Sequence, residues 1–188
     1  MTTHVWRPTS EEILAAKNKT VPDVIAYKLR VLFCGINPSL YSAAVGHHFA
    51  RPGNRFWPAL YAAGFTDRLF SPFEDQELVK IGCGITNIVE RATATAAELS
   101  EDELIKGGKQ LVRKVRRYTP KFIALVGISA YRVAFDQPRA VIGGQEMKIG
   151  DAQVWVLPNP SGLNAHYQLN ELERLFRELY RSTYANTD

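Results

Sequence analysis

The chain has 188 residues, 46% of them hydrophobic, with 23 basic against 19 acidic side chains and a net charge of +4. That length suits one domain with a real core, and no apolar run is long enough to span a membrane. The slight basic excess (pI near 9.1) permits an anionic partner without requiring one. Met1-Thr2-Thr3-His4 lacks a charged, then apolar, leader pattern. The two cysteines, Cys34 and Cys83, each sit beside glycine in apolar runs. Without ligand spacing they read as buried thiols of a cytoplasmic protein, not as a metal or redox site.

In chain order, Thr9-Ser10-Glu11-Glu12 forms a capping-box pattern that predicts a short helix through Ala15-Ala16. The first strand is predicted from Arg30 to Ile36, and residues 37–54 as a long loop of the kind more often functional than idle. Asn54 is the expected cap of a helix from Arg55 to Ala63, closed by Gly64. A polar helical stretch from Pro72 to Lys80 precedes a second strand over Gly84 to Val89. Ser100 caps a helix running to Arg117, whose Lys109, Arg113, Lys114, Arg116 and Arg117 read as a solvated face. A third strand from Lys121 to Val126 leads into a helix from Ser129 to Phe135. The last strand covers Gln153 to Leu157, and the closing helix Leu169 to Tyr184. Strands alternating with helices predict an α/β fold, a three-layer α/β/α sandwich on a mainly parallel sheet of four to five strands. Residues 1–188 form one domain on this reading, with 1–27 as a short helical extension.

Two of these strands run into the same tripeptide, at Asn37-Pro38-Ser39 and Asn159-Pro160-Ser161. In a parallel sheet both loops leave the carboxyl edge, where open α/β sheets bind ligands. Asn-Pro is a common turn former, so either copy alone has a plain structural reading. The segment between Tyr41 and Trp57 is rich in histidine, aromatic, arginine and glycine residues, which are the groups that meet bases and phosphates. Phe56 and Trp57 are expected in the core, whereas Phe49 suits a base-stacking role. Adjacent His47 and His48 make poor metal geometry, so no metal is expected. Neither a phosphate-binding glycine loop nor a Gly-x-Ser-x-Gly elbow follows any strand.

Several ordered motifs then add up to a resemblance. Gly35-Ile36-Asn37-Pro38-Ser39-Leu40, Gly46-His47-His48-Phe49, Pro52-Gly53-Asn54-Arg55-Phe56-Trp57, Thr86-Asn87-Ile88-Val89-Glu90-Arg91 and Asn159-Pro160-Ser161-Gly162-Leu163 resemble the mismatch-specific uracil/thymine DNA glycosylases over about residues 28–182. The resemblance implies a monofunctional repair enzyme, without cofactor and monomeric. It would flip uracil, above all opposite guanine, out of double-stranded DNA and hydrolyse its N-glycosidic bond. Asn37 would position the attacking water and Asn159 support the pocket, with Glu90 as a fallback base or, more simply, an ion-pair partner of Arg91 or another cation. Ile36, Ser39, Ser42, Phe49 and Asn87 would meet the base, and Ser161, Gly162, Leu163 and Asn164 would form the wedge and backbone contacts.

Three positions depart from the family pattern. Ser39 stands where glycine is common, which predicts poorer acceptance of thymine. Ala165 stands where bacterial relatives carry arginine, which predicts weaker reading of the opposite guanine. Asn87 replaces a lysine common in bacterial members, as in the vertebrate thymine-processing type. Rival readings are a non-catalytic binder of mismatched or distorted DNA, and a different α/β enzyme acting on free nucleosides.

Overall fold

The computed structural model describes residues 6–184. The leader reading of Met1-Thr2-Thr3-His4 and the first part of the expected 1–27 extension lie outside the described residues. Strand β1 (Val31–Gly35) is paired in parallel with β2 (Cys83–Asn87) on one side and β3 (Phe122–Val126) on the other. Strand β3 is paired in parallel with β5 (Ala152–Leu157). All five residues of β1, β2 and β3 are buried. That is why β1 and β3 read as continuous apolar runs and not as alternating ones, while β2 ends in the buried polar pair Thr86 and Asn87.

A fifth strand, β4 (Gly143–Ile149), lies antiparallel on β5 and gives the sheet order β2-β1-β3-β5-β4. Its Gly-Gly-Gln-Glu-Met-Lys-Ile sequence alternates half-buried with exposed positions at a sheet edge. With a single β-branched residue it carries little strand signal by composition.

Period-two alternation divides the core. Val31 and Phe33 of β1 face α3 (Phe56–Ala63) and α6 (Leu169–Tyr184), where Phe56, Leu60, Leu172 and Phe176 are buried. Leu32 and Cys34 face α4 (Glu101–Tyr118) and α5 (Ile128–Ala134), against Leu111, Val115 and Tyr131. The result is the expected three-layer sandwich. Burial also accounts for both thiols: it pushes Cys83 up to about 12 and Cys34 higher still.

The local corrections are few. The first helix, α1 (Ser10–Leu14), keeps its Thr9–Glu12 capping box but stops before Ala15. The stretch 37–54 is not all loop: α2 (Leu40–Val45) starts at an N-cap, Ser39, whose hydroxyl accepts the Ser42 N–H at 3.1 Å. Gly46 in the left-handed region closes it. At α3 the N-cap position belongs to Arg55, while Asn54 Oδ1 accepts the Phe56 N–H at 2.9 Å from one residue earlier. Lys114 is not part of a solvated face. Its Nζ lies 2.5 Å from Asp23 Oδ2 and donates to Thr86 Oγ1 at 2.9 Å, with only 19% of its side chain exposed. That network ties α4 to β2 one residue before Asn87.

Candidate active site

The carboxyl ends of β1, β2, β3 and β5 supply Asn37, Asn87, Val126 and Asn159 to one cavity of about 320 Å³. That is near the lower end for small-molecule sites, and it suits a planar ring better than an extended ligand. Of the expected site residues, Ile36, Asn37, Ser39, Ser42, Phe49, Asn87, Asn159, Ser161, Leu163 and Asn164 all line it. Gly162 and Glu90 are not among the residues that line it.

The amide of Asn37 has a defined orientation. Nδ2 donates to the Arg91 carbonyl at 3.0 Å and to Thr93 Oγ1 at 2.7 Å. A carbonyl only accepts, so the nitrogen must face Arg91, and Oδ1 is left without a protein partner among the described residues. Thr93 can accept because its own hydroxyl donates to the Thr95 carbonyl at 2.8 Å. Arg91 is held in turn by Glu103, with Nε and Nη2 at 2.6 and 3.1 Å from its two carboxylate oxygens. That guanidinium, with the Ser100 N–H, holds the Glu103 carboxyl at about 2. Thr93 is a site residue that the sequence motifs did not single out. Its only signals are an isolated parallel bridge to Ser39 and a 3.2 Å bond from its N–H to the Pro38 carbonyl, both tertiary.

Across the cavity, His48 is buried and donates Nε2–H to the Pro22 carbonyl at 2.9 Å. Its Nδ1 is then the bare nitrogen, 3.5 Å from Asn87 Nδ2. Burial lowers the His48 pKa from its ordinary value and keeps the ring neutral. His47 Nδ1 lies 3.1 Å from Asp75 Oδ1, close enough for an ion pair but poorly aligned for a hydrogen bond. Among the described residues no three His, Cys, Asp or Glu side chains gather to hold a metal ion.

Phe49 is in the left-handed region with φ 52°, a conformation that costs a bulky L-residue about 1–2 kcal/mol. The surrounding bonds impose it: Ala50 N–H donates to Ser42 Oγ at 3.0 Å, and Trp57 Nε1 to the His48 carbonyl at 3.2 Å. The Phe49 ring stacks on Phe56 at 4.1 Å, while Phe56 and Trp57 themselves are buried core. Gly35 makes this approach possible, because a Cβ there would lie 2.6 Å from Asn87 Oδ1 and 3.3 Å from the Phe49 ring. The Ser39 hydroxyl is committed within the protein, accepting from Ser42 N and donating to Ser42 Oγ at 3.1 Å.

The second Asn-Pro-Ser loop forms the rim. Asn159 Oδ1 accepts the Ser161 N–H at 3.0 Å, and Asn164 Nδ2 donates back to the Asn159 carbonyl at 2.9 Å. Leu163 stands at the tip, 67% exposed. Glu90 turns away: its side chain is 65% exposed and sits 3.8 Å from Lys114, while Arg91 pairs with Glu103 instead. Arg51 is therefore the only residue of permanent charge among the described residues that line the cavity.

A family model for the uracil DNA glycosylase superfamily matches residues 22–182. The chain belongs to that superfamily. Among solved structures it is similar to the NMR structure of a candidate uracil DNA glycosylase from Methanosarcina acetivorans. The match has 21% identity and a TM-score of 0.53, over 87% of this chain and 98% of that one. At that identity the likeness speaks for the superfamily's α/β fold alone. The site that this uracil DNA glycosylase superfamily member places at its sheet edge is thus uncharged but for Arg51, with the Asn37 amide oxygen unpartnered among the described residues on one side and a neutral histidine on the other.

Proposed function

We propose that the protein is a monofunctional uracil-DNA glycosylase acting on double-stranded DNA, with uracil opposite guanine as its foremost substrate. The observation that carries this reading is the orientation of Asn37, whose Oδ1 is an acceptor at the cavity with no protein partner among the described residues. Bond cleavage in DNA leaves an oxocarbenium-like sugar and an anionic base. A water must then reach the sugar carbon. Asn37 Oδ1 accepts a hydrogen bond from that water and aims it; an amide does not deprotonate it. Water attack is accordingly late, after most of the glycosidic bond has broken, and needs position more than activation.

The base stacks on Phe49, with Ile36 and Asn87 against its edges. Ser39 and Ser42 close the wall where a C5 substituent would extend, which disfavours thymine. Leu163 fills the gap that the flipped base leaves in the duplex. Asn159 keeps the rim loop in shape, and its Nδ2 has no protein partner among the described residues. Glu90 is supported as an ion-pair partner of Lys114 and not as a base. No lysine lines the cavity among the described residues, which favours hydrolysis over a Schiff-base lyase route.

The test is incubation with a duplex carrying one uracil, followed by alkali. Strand breaks only after alkali are expected, and borohydride should trap no covalent complex. Binding without any alkali-labile site would favour the non-catalytic DNA binder. Release of uracil from free deoxyuridine at the duplex rate would favour a nucleoside enzyme.

A further inference from the structure

We propose that Arg55 is a positioning residue that sets the wedge turn and acts on the reaction through Leu163; the inference rests on the glycosylase reading above. Arg55 occupies the N-cap position of α3, yet its side chain makes no capping bond to that helix. The guanidinium reaches instead into the second Asn-Pro-Ser loop. Nη2 donates to the Ser161 carbonyl at 2.6 Å and to the Asn164 carbonyl at 2.8 Å. Nη1 donates to the Tyr167 carbonyl, and Nε makes a long 3.5 Å contact to that of Pro160. The Arg55 backbone N–H also donates to Pro160 at 2.9 Å. These carbonyls bracket Leu163 on both sides in the chain.

The root of this clasp is rigid, since Phe56 and Trp57 next to it are buried in the core. Gly162 closes the turn from the other side, where a Cβ would lie 2.7 Å from the Gly53 carbonyl oxygen. Arg55 forms no ion pair among the described residues, so the loop carbonyls are what its charge meets. A planar fork with five N–H donors can hold several carbonyls at once; a lysine ammonium on a flexible stem cannot keep that geometry. A wedge loop ordered in advance loses less freedom when it enters the duplex. Arg55 therefore serves flipping and not the chemistry at the sugar.

The experiment is a double-mutant cycle of R55K and L163A, read by single-turnover uracil release from a U·G duplex and by 2-aminopurine fluorescence beside the uracil. R55K should lower both by about tenfold, close to the loss in L163A. The double variant should be no slower than L163A alone. R55Q should lose as much as R55K. Additive losses would overturn the inference, as would a wild-type rate in R55K with a loss only in R55Q, which would mark a phosphate contact by charge alone. If R55K is unfolded at the assay temperature, hydrogen exchange of the wild-type protein decides. Protection of the Asn164 and His166 amides supports the clasp, and exchange at open-loop rates overturns it. A wild-type protein that releases no uracil would instead overturn the glycosylase reading, and this inference with it.

Discussion

The two Asn-Pro-Ser loops share a tripeptide and a sheet edge but use their amides in opposite ways. Asn37 anchors through its nitrogen, to the Arg91 carbonyl and Thr93, and leaves its oxygen to the cavity. Asn159 anchors through its oxygen, to the Ser161 N–H of its own turn, and leaves its nitrogen. What decides is the neighbour: a carbonyl and a hydroxyl already donating elsewhere demand a donor, whereas a free backbone N–H demands an acceptor. The first loop thus presents an acceptor suited to hold water, and the second a shaped rim. A repeated motif in this fold is no guarantee of a repeated role.

The contrast can be broken most sharply at the two asparagines. Asn37→Ala should slow single-turnover uracil release by roughly 100-fold or more, as expected for a misplaced reactant, while duplex affinity in a gel-shift titration stays near wild type. Asn159→Ala should cost clearly less and should weaken binding too, through its turn. Equal kinetic losses at constant affinity would erase the distinction. Thr93→Val tests the anchor of Asn37 without touching it. Loss of that hydrogen bond, worth about 1–2 kcal/mol in a buried site, should slow release about tenfold, and Thr93→Ser should recover most of it.

Gly162→Ala probes the second loop alone. The added Cβ would meet the Gly53 carbonyl oxygen at 2.7 Å, so the rim must shift and duplex cleavage should fall several-fold, with product retention following. A variant with wild-type retention would show that the rim tolerates displacement.

The smallest effects concern pH. His48 has a lowered folded pKa, so below its ordinary 6.5 the unfolded chain binds the extra proton first. Stability is then full above that value and declines as pH falls through it towards the lower folded pKa. Glu103, held at about 2 against an ordinary 4.5, adds a second decline as pH falls from 4.5 towards 2. Urea midpoints measured between pH 8 and 3 should fall in those two windows, and His48→Gln should flatten the first.

Much of the fold was legible because its strands announce themselves as short apolar runs. Local caps were legible too, at Thr9 and Ser100. Strand β4 was not, since a polar, glycine-led edge strand gains its order from pairing with β5. Helix α2 is six residues long, too short to show a helical period, and its cap Ser39 read equally well as a turn. At the site, Asn37, Phe49, Asn159 and Leu163 were visible from their motifs. The partners that orient them were not: Thr93 lies 56 residues from Asn37, and Ser161 lies 106 from Arg55. Lys114 was misread for the same reason, its carboxylate partner being far away in sequence and near only in the folded sheet.

Single-turnover excision from matched oligonucleotides carrying U·G, U·A, T·G and single-stranded uracil would decide whether this cavity is a uracil site. Release from U·G is expected at the highest rate, with T·G slowest because Ser39 and Ser42 close the proposed wall near the base. Thymine released from T·G as fast as uracil from U·G would contradict the assignment of that wall, and no release from any substrate would contradict the glycosylase itself.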